Sequence, residues 1–459
     1  MIRVTCLILS LLVPLQGWAE QVPAGRSEIA LSFAPLVKQA APAVVNIYAR
    51  RVVEGRRSPL RDDPFFSEFF RSFSAPRPRV QNSLGSGVIL SSDGIVVSNY
   101  HVVGDATDIR VVLNDRREYG AEVLLADEEA DLAILQLYGA VDMPVLPLRD
   151  SDEVEVGELV LAIGNPFGVG QTVSSGIVSG LARSGTATGS ARGYFIQTDA
   201  PINPGNSGGA LIDNAGRLIG VNTSILTRSG GSNGIGFAIP ANLVARFVDQ
   251  ARAGKKRFER PWSGLSAQPV TSDLAAAMGL DFPEGIAIAE LHPSSPFAEA
   301  GFMSGDILAT VEGQEVSTEA ELEYHMAVRG PGARIGVERI REGERETLHV
   351  PLIAPPEVPA RDEVQVPARL PLAGLLVANS NPALLGELGQ RQPAEGVIVW
   401  EPGPIGARLG LRPGDHIVAI NGAEVRQPAD VPGLLAAYGR AVSILIERDG
   451  RRLSFQVRL

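Results

Sequence analysis

Short runs in which apolar and polar residues alternate, broken by glycine, fill the chain from Ser27 to Phe258. Gly94-Ile95-Val96-Val97-Ser98 and Leu132-Ala133-Ile134-Leu135-Gln136-Leu137 are typical, and a period of two rich in β-branched residues predicts strands. Many such strands punctuated by glycine turns predict a mainly β region folded as a pair of barrels. One stretch carries the helical period instead: Leu243, Val244, Phe247 and Val248 share a face of a helix opened by Pro240 and ending near Gly254. The alternation stops between Arg50 and Asn82, a Pro-, Arg- and Phe-rich insert. Five of the chain's 15 phenylalanines lie between Phe65 and Phe73, a density that calls for a docking surface. Thr186 to Gly193 is rich in Gly, Ser and Thr and reads as a loop.

The C-terminal third repeats itself. Gly301, Gly305, Asp306, Gly313 and Val316 recur 109 positions later as Gly410, Gly414, Asp415, Gly422 and Val425. A constant offset over so many positions predicts two copies of one domain, residues 259–354 and 370–459. The proline-rich, charged stretch 355–369 between them reads as a semi-extended linker.

With 459 residues and 45% hydrophobic content, the chain has material for about three domains. Its start changes the picture of where they fold. Met1-Ile2-Arg3, the apolar run Val4 to Leu15 and the small-x-small site Gly17-Trp18-Ala19 form a cleavable secretory signal over residues 1–19. The apolar run is too short to span a membrane, since a spanning helix needs about 20 such residues. The single cysteine, Cys6, lies in that signal, so the mature chain has neither disulfide nor thiol nucleophile. The net charge of −11 disfavours nucleic acid as a partner. The five histidines show no His-x-x-His or His-Glu-x-x-His spacing, so neither a catalytic metal nor any other cofactor is expected.

The chemistry is concentrated in Gly205-Asn206-Ser207-Gly208-Gly209, a serine nucleophile among glycines whose backbone N–H groups can converge on an oxyanion. A serine hydroxyl needs a base, and the base needs an orienting carboxylate. His101, after a β-rich run, is placed at the rim of a strand, and Asp131 at the start of one. The chain order His101, Asp131, Ser207 is that of a double-barrel hydrolase, with Gly205, Asn206 and Ser207 as the oxyanion hole.

These motifs carry a resemblance. Ser98-Asn99-Tyr100-His101-Val102-Val103, Asp131-Leu132-Ala133-Ile134-Leu135 and Gly205-Asn206-Ser207-Gly208-Gly209-Ala210-Leu211 resemble the catalytic motifs of the HtrA/Deg family, with Ser98 in place of the commoner threonine. The resemblance covers nearly all of the mature chain. It implies a chymotrypsin-like double six-stranded β-barrel protease domain over residues 20–258, with 50–82 as a regulatory insert, followed by two PDZ domains. It implies a specificity pocket lined by Ile202 and Ile235, and hence cleavage after small or medium aliphatic residues. Phe65, Phe66, Phe69 and Phe70 correspond to the long regulatory loop, and Arg183 to the residue that orders the oxyanion loop. Ser263, Gly264 and Leu265 in the first PDZ copy, and Ala373, Gly374 and Leu375 in the second, would form the loops that capture C-terminal peptides. Ser263 and Ala373 stand where the family usually has a larger apolar residue, and Pro261 replaces a common glycine.

The function implied is ATP-independent degradation of unfolded or misfolded periplasmic proteins by a homotrimer that can enlarge into substrate-induced cages. The alternative is a chaperone or peptide-binding scaffold with a latent protease. Lipase or esterase chemistry is disfavoured, because no Gly-x-Ser-x-Gly elbow surrounds the serine and the triad order differs.

Overall fold

The computed structural model describes residues 32–53, 79–104, 106–165, 170–184, 194–202, 205–225, 234–390, 396–437, 441–448 and 450–458. The signal segment, Phe65, Phe66, Phe69 and Phe70, and the Thr186 to Gly193 loop lie outside these residues.

The alternating runs close into two barrels. After a short N-terminal helix α1 (Ala34–Ala40), the first barrel comprises β1 (Val44–Val53), β2 (Arg79–Ile89), β3 (Ile95–Ser98), β4 (Asp108–Val112), β5 (Glu118–Asp127) and β6 (Leu132–Leu137), hydrogen-bonded in the order β1-β2-β3-β6-β5-β4. A short helix, α2 (Tyr100–Val103), follows β3. The second barrel comprises β7 (Leu159–Gly164), β8 (Thr172–Ser184), β9 (Tyr194–Thr198), β10 (Ala210–Ile212), β11 (Leu218–Ile225) and β12 (Gly236–Pro240), in the order β10-β11-β12-β9-β8-β7. Strands such as β3 and β6 are almost wholly buried because one side fills the barrel and the other meets a neighbouring element. Helix α3 (Ala241–Arg252) starts where Pro240 can no longer donate a ladder hydrogen bond. It buries Val244 and Phe247, and Phe247 stacks on Phe258 with ring centroids 3.9 Å apart.

Two further sheets follow, one for each sequence repeat. The first has strand order β13-β14-β15-β17-β18, built from β13 (Leu265–Pro269), β14 (Ile286–Leu291), β15 (Ile307–Val311), β17 (Arg334–Arg341) and β18 (Glu344–Pro351), with β16 (Gln314–Glu315) on β15. Helices α4 (Ser272–Ala277), α5 (Pro296–Glu299) and α6 (Glu319–Arg329) pack on it. The second sheet has the order β19-β20-β21-β22-β24-β25: β19 (Val364–Gln365), β20 (Leu376–Asn379), β21 (Val397–Glu401), β22 (His416–Ile420), β24 (Ala441–Arg448) and β25 (Arg451–Arg458), with β23 (Ala423–Glu424) on β22. Its helices are α7 (Pro382–Glu387), α8 (Gly403–Leu409) and α9 (Asp430–Ala436).

The repeated aspartates explain the repeat. Asp306 and Asp415 are each about 1% exposed. Arg341 donates to both oxygens of Asp306 (2.6 and 2.7 Å) and to the Gly301 carbonyl (2.9 Å). Arg448 does the same for Asp415 (2.6 and 2.7 Å) and the Gly410 carbonyl (2.8 Å). A buried carboxylate needs such a bidentate partner, so glycine turn, aspartate and distant arginine recur as a unit.

Two expectations change. His101 sits in the one-turn helix α2 rather than at a strand rim, because Asn99 in extended conformation turns the chain into that helix immediately after β3. The stretch 355–369 is not wholly a linker: Val364–Gln365 adds as β19 to the edge of the second sheet, and Val366 is buried in its core. Its proline density masked this strand.

Candidate active site

His101, Asp131 and Ser207 come from α2, the β5–β6 turn and the loop before β10, and converge between the barrels. Asp131 has φ +51°, a left-handed conformation that aspartate tolerates better than most residues. The turn is tied by the Asp131 N–H to the Glu128 carbonyl (3.3 Å) and the Ala130 N–H to Asp127 Oδ1 (2.8 Å), and the Asn99 side chain donates to the Asp131 carbonyl (2.9 Å). So held, the Asp131 carboxylate lies 2.9 and 3.0 Å from His101 Nδ1 and accepts the His101 backbone N–H (3.0 Å). A carboxylate only accepts, so this contact puts the ring proton on Nδ1 and leaves Nε2 as the acceptor a base requires. The His101 side chain is 51% exposed.

Thr223, on β11, joins the two halves of the constellation. Its hydroxyl donates to Asp131 Oδ2 (2.5 Å), and its carbonyl accepts the Ser207 hydroxyl (3.0 Å). The Ser207 hydroxyl is therefore engaged by a backbone carbonyl in this conformation. Sequence reasoning missed Thr223. Its signal was available: Asn46, Ser86, Ser98, Asn99, Asn222 and Thr223 are buried polar residues in or beside strands, where alternation calls for apolar ones.

Ser86 grips the loop that carries Ser207. Its N–H donates to the Ser207 carbonyl (2.9 Å), its hydroxyl to the Gly205 carbonyl (2.6 Å), and its oxygen accepts the Asn165 N–H (2.8 Å). Gly205 takes φ +100° and Gly208 φ +82°; a Cβ at Gly208 would fall 2.1 Å from the Ser86 carbonyl, so no other residue fits there. Among the described residues, the N–H groups of Gly205 and Ser207 donate to no acceptor. The Asn206 side chain is fully buried, and among the described residues its carboxamide has no partner.

Ile202 is 2% exposed in the second barrel's core with Val160, Ile196 and Ala238. It packs on Gly236, whose neighbour Ile235 is half-buried. Arg183 lies in β8 with its backbone opposite Phe195.

The first PDZ-type unit leans on both barrels. Arg260, just ahead of its Trp262–Leu265 loop, donates to both oxygens of Asp127 (2.6 and 2.7 Å), four residues before Asp131. Tyr324 of α6 stacks on Tyr194 at 3.9 Å and donates to Asp152 (3.1 Å). Burial pushes the Tyr194 phenol up to about 12 and that of Tyr324 well above its ordinary range, so both stay protonated and Tyr324 keeps the proton it donates to Asp152. In the loop itself Gly264 has φ +63°, its carbonyl accepts the His292 N–H (2.7 Å), and the Ser263 carbonyl accepts the Ser295 hydroxyl. The loop carbonyls are thus occupied from within the domain, whereas strand β13 remains a sheet edge whose Ala267 N–H donates to Glu319 Oε2 (3.1 Å).

The second unit departs from expectation. The Gly374 N–H donates to the Val366 carbonyl (3.0 Å) and the Leu375 N–H to the Leu372 carbonyl (2.9 Å). Ala373, Gly374 and Leu375 therefore do not form an open carboxylate-capturing loop: two of its amides are already bonded within the chain.

A paired barrel with a serine, a histidine and a carboxylate at its seam defines a serine endopeptidase. A trypsin-like peptidase domain model matches residues 85–221, and PDZ domain models match 252–352 and 397–448. The chain is 37% identical over 481 residues to a probable periplasmic serine endoprotease DegP-like of Halomonas elongata, covering 99% of this chain and 97% of that protein. It is 36% identical over 430 residues to the periplasmic pH-dependent serine endoprotease DegQ of Escherichia coli, covering 93% and 91% respectively. Among solved structures it resembles the HtrA-type protease AlgW with tripeptide (TM-score 0.54, 38% identity), over 71% of this chain and 98% of that one. The chain belongs to the HtrA/Deg family of serine endoproteases, whose fold is two trypsin-like barrels followed here by two PDZ domains.

Proposed function

We propose that this protein degrades unfolded or misfolded proteins in the periplasm without ATP, with His101, Asp131 and Ser207 as its catalytic triad. The observation that carries the assignment is the Thr223 bridge, which ties the Asp131 carboxylate and the Ser207 hydroxyl to one residue while Asp131 orients His101. His101 Nε2 takes the Ser207 proton as Oγ attacks the scissile carbonyl, and the N–H groups of Gly205 and Ser207 receive the oxyanion. The same histidine then gives the proton to the leaving amine, and a water repeats the sequence on the acyl-enzyme. The periplasmic setting is supported by the names of the relatives and by the signal-like segment 1–19. A homotrimer is the assembly the family resemblance supports. The engagement of the Ser207 hydroxyl by Thr223 supports a latent resting state that a further signal activates.

Ile202 and Ile235 form the primary pocket in this reading, supported by the packing of Ile202 on Gly236, the residue after Ile235, and by the engagement of Asp199, the carboxylate nearest Ile202 in sequence, with the Ile177 N–H (2.7 Å). Cleavage of an unfolded, disulfide-free protein, with product ends mapped by mass spectrometry, is expected to give ends after Val, Ala or Ile. Ends after Lys or Arg would overturn the pocket.

The first PDZ domain receives the substrate peptide along β13. In the conformation seen, Glu319 covers the Ala267 amide that an added strand would use. Glu319→Ala is expected to tighten binding of an apolar-ended peptide about three- to tenfold, the net value of displacing one partly exposed charged hydrogen bond. Fluorescence anisotropy with the full chain measures it, and weaker binding would show that Glu319 holds the peptide instead.

A further inference from the structure

The two PDZ domains present different edges. The first ends at β13. In the second, the matching strand β20 is covered by β19, which comes from the chain between the domains. We propose that the peptide groove of the second PDZ domain is a binding site already filled by its own ligand, the segment Glu363–Val366. The inference goes beyond the proposed proteolysis and rests only on the PDZ fold.

The segment meets every requirement of a PDZ ligand except a free carboxylate. It runs antiparallel to β20, with Val364 opposite Val377 and Gln365 opposite Leu376. Its last residue lies at the loop end of the strand, where a ligand terminus belongs. There the Val366 N–H donates to the Leu375 carbonyl (2.8 Å), and its carbonyl accepts the Gly374 N–H (3.0 Å), so a peptide carbonyl stands where a terminal carboxylate would. The Val366 side chain is 2% exposed, in one apolar cluster with Val377 of β20 and with Val431 and Leu435 of α9, while Gln365 is exposed. Alternation along the segment thus sends valine into the groove and glutamine to solvent, as an added strand requires.

The tether makes the occupancy persistent. Only residues 367–371 separate Val366 from Leu372. A segment held by so short a link acts at an effective concentration on the order of millimolar, above the affinity of an ordinary peptide in solution. The first PDZ domain is then the receptor for external peptides. The second is locked by its own strand, and its groove would take an extended peptide with valine or a similar aliphatic residue at the end and two positions before it.

The test uses the full chain with Ser207→Ala, so that no probe is cleaved. The probe is a fluorescein-labelled synthetic peptide, Asp-Glu-Val-Gln-Val, with a free C-terminus. Val366→Asp, and the nearly isosteric Val366→Thr as the milder variant, are compared with the parent by titration and by hydrogen exchange of the Leu376–Asn379 amides. The proposal expects both variants to bind one more equivalent of peptide than the parent, with about 100-fold tighter binding at that site for Val366→Asp. It also expects those amides to exchange at least tenfold faster in the variants and to regain protection when peptide is added. If the parent binds the peptide at the second domain as readily as the variants, the groove is open and the proposal fails. If neither variant gains a site although its melting transition persists, the groove is not a peptide site and the proposal fails equally. In both cases the first domain's binding and the protease reading stand unaffected.

Discussion

Ser207→Ala is expected to reduce kcat for peptide-bond hydrolysis by about six orders of magnitude while leaving the melting temperature essentially unchanged. The magnitude follows from the way a triad works as a unit, in which losing the nucleophile costs about as much as losing the whole constellation. The structural cost is small because the Ser207 hydroxyl makes a single hydrogen bond, to the Thr223 carbonyl, and the loop is held independently by Ser86 through the Ser207 and Gly205 carbonyls. Turnover of an unfolded protein by purified wild type and variant, together with their melting curves, checks both halves. A variant that still cleaves at a few per cent of the parent rate would mean that the hydrolysis belongs to another residue. Suppression of aggregation that survives in Ser207→Ala, with negligible proteolysis by wild type, would turn the function toward a chaperone.

Asp131→Asn is expected to lower kcat by about four orders of magnitude with little change in KM. The carboxylate accepts from the His101 backbone, from His101 Nδ1 and from the Thr223 hydroxyl, three donors converging on two oxygens. A carboxamide has one accepting oxygen and one donating nitrogen, so either Thr223 or His101 must face an N–H. With the nitrogen toward His101, the ring takes the tautomer with its proton on Nε2, and the base is lost. Kinetics on a chromogenic peptide read the effect. A loss of tenfold or less would show that Asp131 only shapes the turn that its positive φ of 51° already marks. Ser207→Ala and Asp131→Asn act on one constellation, so their combined loss is expected to fall far short of the product of the separate losses.

Much of this was legible in the chain. The alternating runs announced the barrels, the 109-residue offset announced the duplicated domains, and the glycines around Ser207 announced a tight loop. Each signal is local, arising from a strand's period of two, a turn that only glycine can make, or a duplicated motif. Thr223, Ser86 and Arg260 were not legible, because each acts on a partner far away in sequence: Thr223 on Asp131, Ser86 on Gly205 and Arg260 on Asp127. Glu319 looked like an ordinary first-turn acid until the fold set it over the Ala267 amide.

The same division holds for the second PDZ domain. By its own residues the chain determined which segments become strands, where a tight glycine loop presents a serine, and that one fold occurs twice after the barrels. Whether Val364–Val366 spaces two domains or fills a groove depended on where β20 ended up, because a strand's backbone donors and acceptors are satisfied only by whichever edge lies beside it. Tertiary structure alone chose that edge, and with it which of the two repeated domains remains open to a peptide.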